Sequence, residues 1–180
     1  HHSAMKHVLN IRKQLETRTI FNLLGPLTNP ASTKIQLLGV FEKKWVKTHC
    51  EVLKDLGSKR AMVVYGLDGL DEISLSSPTL ISELKENNIS NYTFNPNDYG
   101  YTFINNKDIE GKDPDYNAKS FLNMLEGPNN SFQKIVELNA GASIYLAGIS
   151  NTLKEGFIIA KKTINSGKTK EFFLKLINSK

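Results

Sequence analysis

The stretch from Ile35 to Tyr65 constrains the fold more strongly than any other part of this 180-residue chain. It opens with an apolar run of strand length, Ile35 to Phe41. The residues from Lys44 to Leu56 then have helical periodicity, and Gly57 ends that helix. A second apolar run, Ala61 to Tyr65, follows. A strand, a helix and another buried strand form a βαβ unit, which predicts parallel pairing in a central sheet.

The remainder of the chain predicts a short hairpin and then helices. Leu80 to Leu84 and Ile89 to Phe94 read as short strands separated by the turn-forming letters KENN, and an irregular polar stretch then reaches Asp113. Four helices are predicted after it, over 115–125, 132–147, 153–166 and 169–177. We therefore predict one α/β domain over residues 1–180, with a central mixed sheet flanked by helices.

Two further segments border this core in the sequence. Ser3 can cap a helix that runs to Leu15, and the apolar residues Thr19 to Leu24 are stopped by Gly25 in the letters GPLTNP. We interpret GPLTNP as a structured loop whose backbone amides can face an anion or an aromatic ring. Around Asn139, the letters LNAGASIYLAG place small residues at helical spacing, which we interpret as close helix packing.

Composition excludes several classes of protein. Cys50 is the only cysteine, so neither an internal disulfide nor a multi-thiolate metal site is possible within the chain. No apolar stretch approaches the roughly 18 residues of a membrane span, and the N-terminus has no signal-peptide core. We expect a cytoplasmic protein with no membrane partner. The net charge of +5 comes from scattered lysines, which favours a solvated basic surface over a dedicated anion site.

The letters VVYGLDGLDEIS, from Val63 to Ser74, hold the first candidate site. The adjacent acids Asp71 and Glu72 follow the second strand of the βαβ unit, at the edge of the sheet where open α/β folds bind ligands. Gly66 and Gly69 permit positive φ and the close approach of a ligand. Two carboxylates in one loop suit Mg²⁺, whose other ligands are commonly waters and substrate phosphates. A solvated loop without a ligand is the alternative.

The second candidate is Arg12, on the polar side of the first predicted helix. Its guanidinium can bind a carboxylate in a bidentate manner, which would matter for a small acidic substrate. An exposed helical arginine without a ligand is the alternative. The chain contains no GxSxG, HExxH or P-loop motif.

Taken together, the letters HHSAMKHVLNIRKQLETRTIFNLLGPLTNPAS, VVYGLDGLDEIS, ELNAGASIYLAG and EGFIIAKKTINSGK resemble anthranilate phosphoribosyltransferases along the full chain. The resemblance implies the C-terminal domain type of the nucleoside phosphorylase and phosphoribosyltransferase fold, in truncated form. It also implies the family's reaction, the transfer of the phosphoribosyl group of 5-phosphoribosyl 1-pyrophosphate to the amino group of anthranilate in tryptophan biosynthesis.

The resemblance also implies roles for individual residues. His2 and Met5 match positions that line the anthranilate channel, Arg12 matches the arginine that binds the anthranilate carboxylate, and Gly25 matches the glycine of the GPLTN loop beside it. Asp71 and Glu72 match the acidic pair that holds Mg²⁺ on the pyrophosphate side. That ion would stand between the two acids and a polyanionic substrate, because a bound cation reverses the local charge.

Other family motifs do not occur in these 180 residues, namely the glycine-rich GTGGD loop and KHGN. We therefore expect a C-terminal part of a longer two-domain enzyme that is a homodimer at full length. We expect the 180 residues alone to be inactive and to leave a sheet edge exposed.

Three alternatives remain open at this point. A pyrimidine nucleoside phosphorylase has the same fold, although Arg12 and the GPLTN loop favour the anthranilate enzyme. A non-catalytic relative could bind nucleic acid on its basic surface, although the acidic pair disfavours nucleic acid as a partner. The chain could also be a proteolytic remnant whose function belongs to its parent.

Overall fold

The computed structural model describes residues 19–127 and 130–179, and the helix predicted for Ser3 to Leu15 lies outside that part of the chain. The four strands are β1 Ile35–Gly39, β2 Arg60–Gly66, β3 Thr79–Lys85 and β4 Asn88–Phe94. The six α-helices are α1 Ile20–Leu24, α2 Trp45–Asp55, α3 Pro114–Leu125, α4 Ser131–Leu146, α5 Leu153–Asn165 and α6 Lys168–Asn178. Short 3-10 turns occur at Gly25–Leu27, Pro96–Tyr99 and Asn106–Asp108.

The strands form one mixed sheet in the order β1-β2-β3-β4. β1 and β2 pair in parallel with Leu38 opposite Val63, whereas β2–β3 and β3–β4 are antiparallel. The predicted βαβ unit and mixed sheet are confirmed. Within the described residues β1 is an outer strand and Ile35 on it is exposed, in agreement with the predicted open edge.

The turn between β3 and β4 consists of Glu86 and Asn87, with φ values of 50° and 64°. Lys85 and Asn88 pair directly on either side of it. Two central residues with positive φ match the right-handed twist of the flanking strands, so the predicted hairpin forms with a tight two-residue turn.

The sheet separates two hydrophobic cores, because successive residues of β2 face opposite sides. Met62 and Val64 pack with residues of α4 and α5, including Leu138 and Phe157. Ala61 and Val63 pack on the other side against α2. Cys50 on α2 is fully buried there, as its predicted packing role requires, and burial raises the pKa of its thiol.

Close packing of α4 on α5 depends on two glycines. A Cβ atom on Gly141 would lie 2.7 Å from the backbone nitrogen of Phe157, and a Cβ atom on Gly156 would overlap the carbonyl oxygen of Gly141. The interpretation of the small residues around Asn139 as a helix contact is confirmed. This contact fixes α4, which in turn borders residues 67–78, the loop that contains Asp71 and Glu72 and is called the acidic loop below. No helix within 19–127 or 130–179 has the length and apolar character needed to cross a membrane.

Candidate active site

The acidic pair lies in the loop that connects β2 to β3, residues 67–78. This loop leaves the carboxyl end of β2, beside the carboxyl end of its parallel neighbour β1. Ligands of open α/β sheets bind in the crevice outside these strand ends. The structure therefore places Asp71 and Glu72 where the sequence predicted them.

Gly39, the last residue of β1, determines how closely the loop approaches the sheet. A Cβ atom built on Gly39 would overlap the carbonyl group of Asp71. Only glycine leaves room for the main chain of the loop at this point. The position of Asp71 thus depends on a residue 32 positions earlier in the chain, since 71 minus 39 is 32.

Asp71 and Glu72 line one open cleft with a volume of about 370 Å³. Its other lining residues come from β1, β2 and α4, namely Leu37, Gly39, Val64, Val136, Asn139 and Ala140. Both acidic residues are exposed. The walls are mainly apolar and the two carboxylates lie at the rim, so the cleft combines an apolar surface with a local negative charge.

The charge of Glu72 is unfavourable in this position. Desolvation, and secondly the neighbouring charge of Asp71, raise the pKa of the Glu72 carboxyl. Within the described residues, neither Asp71 nor Glu72 forms a hydrogen bond or an ion pair with another side chain. Two adjacent carboxylates attract a cation, and a bound cation would remove the repulsion between them.

Asp68 organises the loop before the acidic pair, a role that the sequence analysis missed. Its carboxylate accepts hydrogen bonds from the hydroxyls of Ser74, at 2.7 Å, and Ser76, and from the backbone N–H of Leu70 at 3.3 Å. Desolvation opposes its charge, but the hydrogen bonds from Ser76 and Ser74 outweigh it and lower the pKa of Asp68. The carboxylate of Asp68 is therefore occupied by the loop itself.

The two glycines of the loop have different roles. Gly69 has a φ of 98°, as predicted, and closes a turn in which its N–H donates to the carbonyl of Gly66 at 2.9 Å. The prediction that Gly66 leaves room for a ligand is wrong. A Cβ atom on Gly66 would lie 2.5 Å from Asp68 Oδ1 and 3.0 Å from Ser74 Cβ, so the loop's own side chains fill that space.

Asn139 on α4 holds the loop directly after the acidic pair. Its Oδ1 accepts a hydrogen bond from the N–H of Ile73 at 2.9 Å, and its Nδ2 donates to the carbonyl of Ile73 at 3.0 Å. The same Nδ2 also donates to the carbonyl of Ile135 at 3.0 Å. Sequence analysis treated Asn139 only as part of a helix-packing stretch. A polar asparagine within an otherwise small and apolar helix face was the available signal.

The GPLTNP segment is ordered as predicted. α1 ends at Leu24, and Gly25 continues in right-handed helical conformation, with φ −50° and ψ −53°, into a 3-10 turn. His49 on α2 contacts the backbone of α1 and of its own helix. Its Nε2 lies 3.2 Å from the carbonyl oxygen of Leu23, and its Nδ1 lies 3.1 Å from the carbonyl oxygen of Trp45. Among residues 19–127 and 130–179, no atom lies within 4 Å of a Cβ atom built on Gly25.

The structure brings together only part of the predicted site. Asp71 and Glu72 share a cleft, and Gly25 is not among the residues that line it. His2, Met5 and Arg12 lie outside the described residues. Within 19–127 and 130–179, no cluster of three or more histidine, cysteine, aspartate or glutamate side chains could hold a metal ion by itself.

A family model described as the a/b domain of a glycosyl transferase family matches residues 1–170. The mixed sheet, the flanking helices and the acidic loop at the strand ends agree with that match. The chain belongs to this glycosyl transferase family.

The relatives within this family are more specific. The chain is 48% identical over 167 residues to the anthranilate phosphoribosyltransferase of Thermoanaerobacter sp. (strain X514), covering 93% of this chain and 49% of that protein. The crystal structure of the enzyme of the same name from Thermus thermophilus has a TM-score of 0.83 and 37% identity, over 92% of this chain and 49% of its own.

A third relative was solved with ligands. The anthranilate phosphoribosyltransferase from Saccharomyces cerevisiae in complex with PRPP and Mg has a TM-score of 0.81 and 29% identity, covering 92% of this chain and 48% of its own. The resemblance inferred from the sequence motifs is confirmed, and the phosphorylase and nucleic-acid alternatives are not favoured. The chain spans about half the length of the relatives it matches.

Proposed function

We propose that this chain forms the α/β part of an anthranilate phosphoribosyltransferase, which transfers the phosphoribosyl group of 5-phosphoribosyl 1-pyrophosphate to the amino group of anthranilate and releases pyrophosphate. The observation that carries the proposal is the exposed pair of Asp71 and Glu72 at the carboxyl ends of parallel strands, in a chain that belongs to a glycosyl transferase family. The names of the relatives supply the two substrates.

Asp71 and Glu72 would hold Mg²⁺ on the pyrophosphate side of the site. The fit is supported by their adjacency at the rim of one cleft and by their lack of other partners among the described residues. An ion bound there would neutralise charge on the leaving pyrophosphate. Two protein carboxylates completed by water and phosphate oxygens form a common magnesium environment.

Four other residues would act on the acceptor side. Arg12 would bind the carboxylate of anthranilate through its planar guanidinium, which matches a carboxylate in a bidentate manner. His2 and Met5 would line the channel, and Gly25 would let the substrate pass close to the backbone. This assignment rests on the motif resemblance, and the absence of described atoms within 4 Å of a Cβ built on Gly25 is compatible with it. Binding in this manner would orient the amine for attack on the ribose anomeric carbon.

The rest of the active site would come from outside these 180 residues. The chain covers about half of its relatives, and the glycine-rich phosphate loop of the family does not occur in it. We propose a longer, two-domain parent protein that is a cytoplasmic homodimer, of which residues 1–180 form a single domain. The 180 residues by themselves would then be inactive.

The test uses a longer protein that contains this chain. Anthranilate consumption is measured with 5-phosphoribosyl 1-pyrophosphate over a range of Mg²⁺ concentrations, for the unchanged protein and for Asp71→Asn and Glu72→Gln. Each substitution should lower kcat/KM on the order of a hundredfold, because one of the two carboxylate charges that hold Mg²⁺ against the leaving pyrophosphate is lost. Glu86→Gln, an exposed acid at the opposite end of β3, is the matched control. An unchanged protein without transferase activity would refute the proposal.

A further inference from the structure

The acidic pair is not held by its own side chains. Asp71 and Glu72 have no hydrogen-bond partner among the described residues, and they lie on a loop of 12 residues between two strands, residues 67–78. A loop of this length has many conformations unless other elements restrain it. Two carboxylates that share one ion need a fixed backbone, because adjacent residues of an extended chain face opposite directions.

Beside the hydrogen bonds of Asp68, a second restraint comes from Ile73, the residue directly after the pair. Its side chain is fully buried in the core between the sheet and α4, together with Leu138 and Ala142. Its N–H and C=O are both bound by the amide of Asn139, at 2.9 Å and 3.0 Å. One side chain of α4 thus satisfies both backbone groups of a loop residue.

The orientation of the Asn139 amide is fixed by its third contact. Nδ2 faces two carbonyl oxygens, those of Ile73 and Ile135, and Oδ1 faces an N–H. Only a planar group with one acceptor and one two-proton donor satisfies this arrangement. An aspartate of the same shape would place a carboxylate oxygen against both carbonyl groups.

From this geometry we infer that Asn139 is a positioning residue for the acidic pair. It fastens the main chain at Ile73, and so sets where the carboxylates of Asp71 and Glu72 lie over the cleft that Asn139 itself lines. Gly39 limits the loop on the other side, where its lack of a side chain admits the backbone of Asp71. The role of Asn139 in cation binding rests on the function proposed above, whereas its hold on the loop does not.

The first experiment measures the loop itself. Amide hydrogen exchange of residues 70–75 is followed in the 180-residue chain for the unchanged protein, Asn139→Asp and Asn139→Ser. Both variants should speed exchange in this segment at least tenfold. Tyr145→Phe is the matched control, since it removes a buried hydrogen bond of 2.7 Å from the same helix to Glu83 and leaves the loop contacts intact. Loop exchange that is no faster than in Tyr145→Phe would overturn the inference.

The second experiment measures the cation site with Mn²⁺ as a paramagnetic substitute for Mg²⁺. In a ¹⁵N-labelled chain, Mn²⁺ should broaden the amide signals near residues 71–73, and Mg²⁺ should reverse the effect. Asn139→Ser should need about tenfold more Mn²⁺ for the same broadening, with Tyr145→Phe unchanged. Equal Mn²⁺ requirements in Asn139→Ser and the unchanged chain would contradict the positioning role.

The two experiments separate the possible failures. If Asn139→Asp and Asn139→Ser loosen the loop but Mn²⁺ does not bind selectively near the acidic pair of the unchanged chain, the proposed metal function fails and the hold on the loop stands. If Mn²⁺ binds and loop exchange is unaffected by either substitution, the proposed metal function stands and the role of Asn139 fails.

Discussion

Gly39 and Asp71 are in such close contact that a single methyl group on Gly39 would occupy the space of the Asp71 carbonyl. The end of β1 and the acidic loop are therefore in direct backbone contact, which a side chain at position 39 would prevent. In most strands alanine or a larger residue is at least as favourable as glycine, so a glycine here indicates a requirement for space.

We expect Gly39→Ala to displace the loop. The added Cβ cannot be relieved by a rotamer change because it meets backbone atoms, so Asp71 must move. Overpacking of this kind costs about 1–3 kcal/mol of stability. Thermal unfolding of the chain tests the stability, and in a longer active protein the half-saturating Mg²⁺ concentration should rise. A crystal structure of Gly39→Ala with Asp71 unmoved would contradict this explanation.

Gly25→Ala should behave in the opposite way. Gly25 has helical backbone angles and, among the described residues, no neighbour within 4 Å of an added Cβ, so the substitution should leave the melting temperature unchanged or raise it. If Gly25 admits the acceptor substrate closely, KM for anthranilate in a longer active protein should nevertheless increase. An unaltered KM together with normal folding would remove Gly25 from the substrate site.

Asp68→Asn should destabilise the chain by about 1–3 kcal/mol at neutral pH, because the hydroxyls of Ser74 and Ser76 lose a charged acceptor. The pKa of Asp68 is lowered in the folded state, so its stabilising effect is present above the ordinary aspartate pKa and is lost as pH falls through the folded value. Denaturant unfolding at several pH values measures this.

The difference in unfolding free energy between the unchanged chain and Asp68→Asn should accordingly be largest near neutral pH and should shrink in acid. Asp98→Asn, at an exposed position in the Pro96–Tyr99 turn, is the control. A difference that stays constant down to strongly acidic pH would show that the charge of Asp68 is not what holds the loop.

Glu72→Gln should raise the melting temperature when divalent ions are removed with a chelator. The pKa of Glu72 is raised in the folded state, so its ionisation opposes folding. The increase in melting temperature should reach its full size above the raised pKa of Glu72. It should disappear as pH falls below the ordinary glutamate pKa, where the Glu72 carboxyl is protonated in both the folded and the unfolded chain. Added Mg²⁺ should stabilise the unchanged chain more than Glu72→Gln. A lower melting temperature of Glu72→Gln in chelator would contradict the unfavourable charge.

Regular elements were predictable because each is determined by neighbouring residues. The continuous apolar run from Ala61 to Tyr65 identifies β2, and Gly57 ends α2 with a φ of 79° as the sequence indicates. The hydrogen bonds of the acidic loop were not predictable in this way. Asp68 and Glu72 are both loop acids in the sequence, and only the folded path of the chain assigns one to internal hydrogen bonds and the other to the cleft.

The same limit applies to Asn139. Its partner Ile73 lies 66 residues earlier, so no local pattern connects the two. The roles of His2, Met5 and Arg12 depend on motif resemblance alone, and they remain predictions.

The separation between Ile73 and Asn139 also has a consequence for biosynthesis. A ribosome adds residues in order, so the sheet strands and the acidic loop have left the peptidyl-transferase centre well before Asn139 is made. Until α4 docks, the loop lacks the amide that fixes its backbone, and long-range contacts of this kind form late because chain closure is slow. The acidic loop of the nascent chain would therefore stay unfastened until α4 has been synthesised and has packed against the sheet.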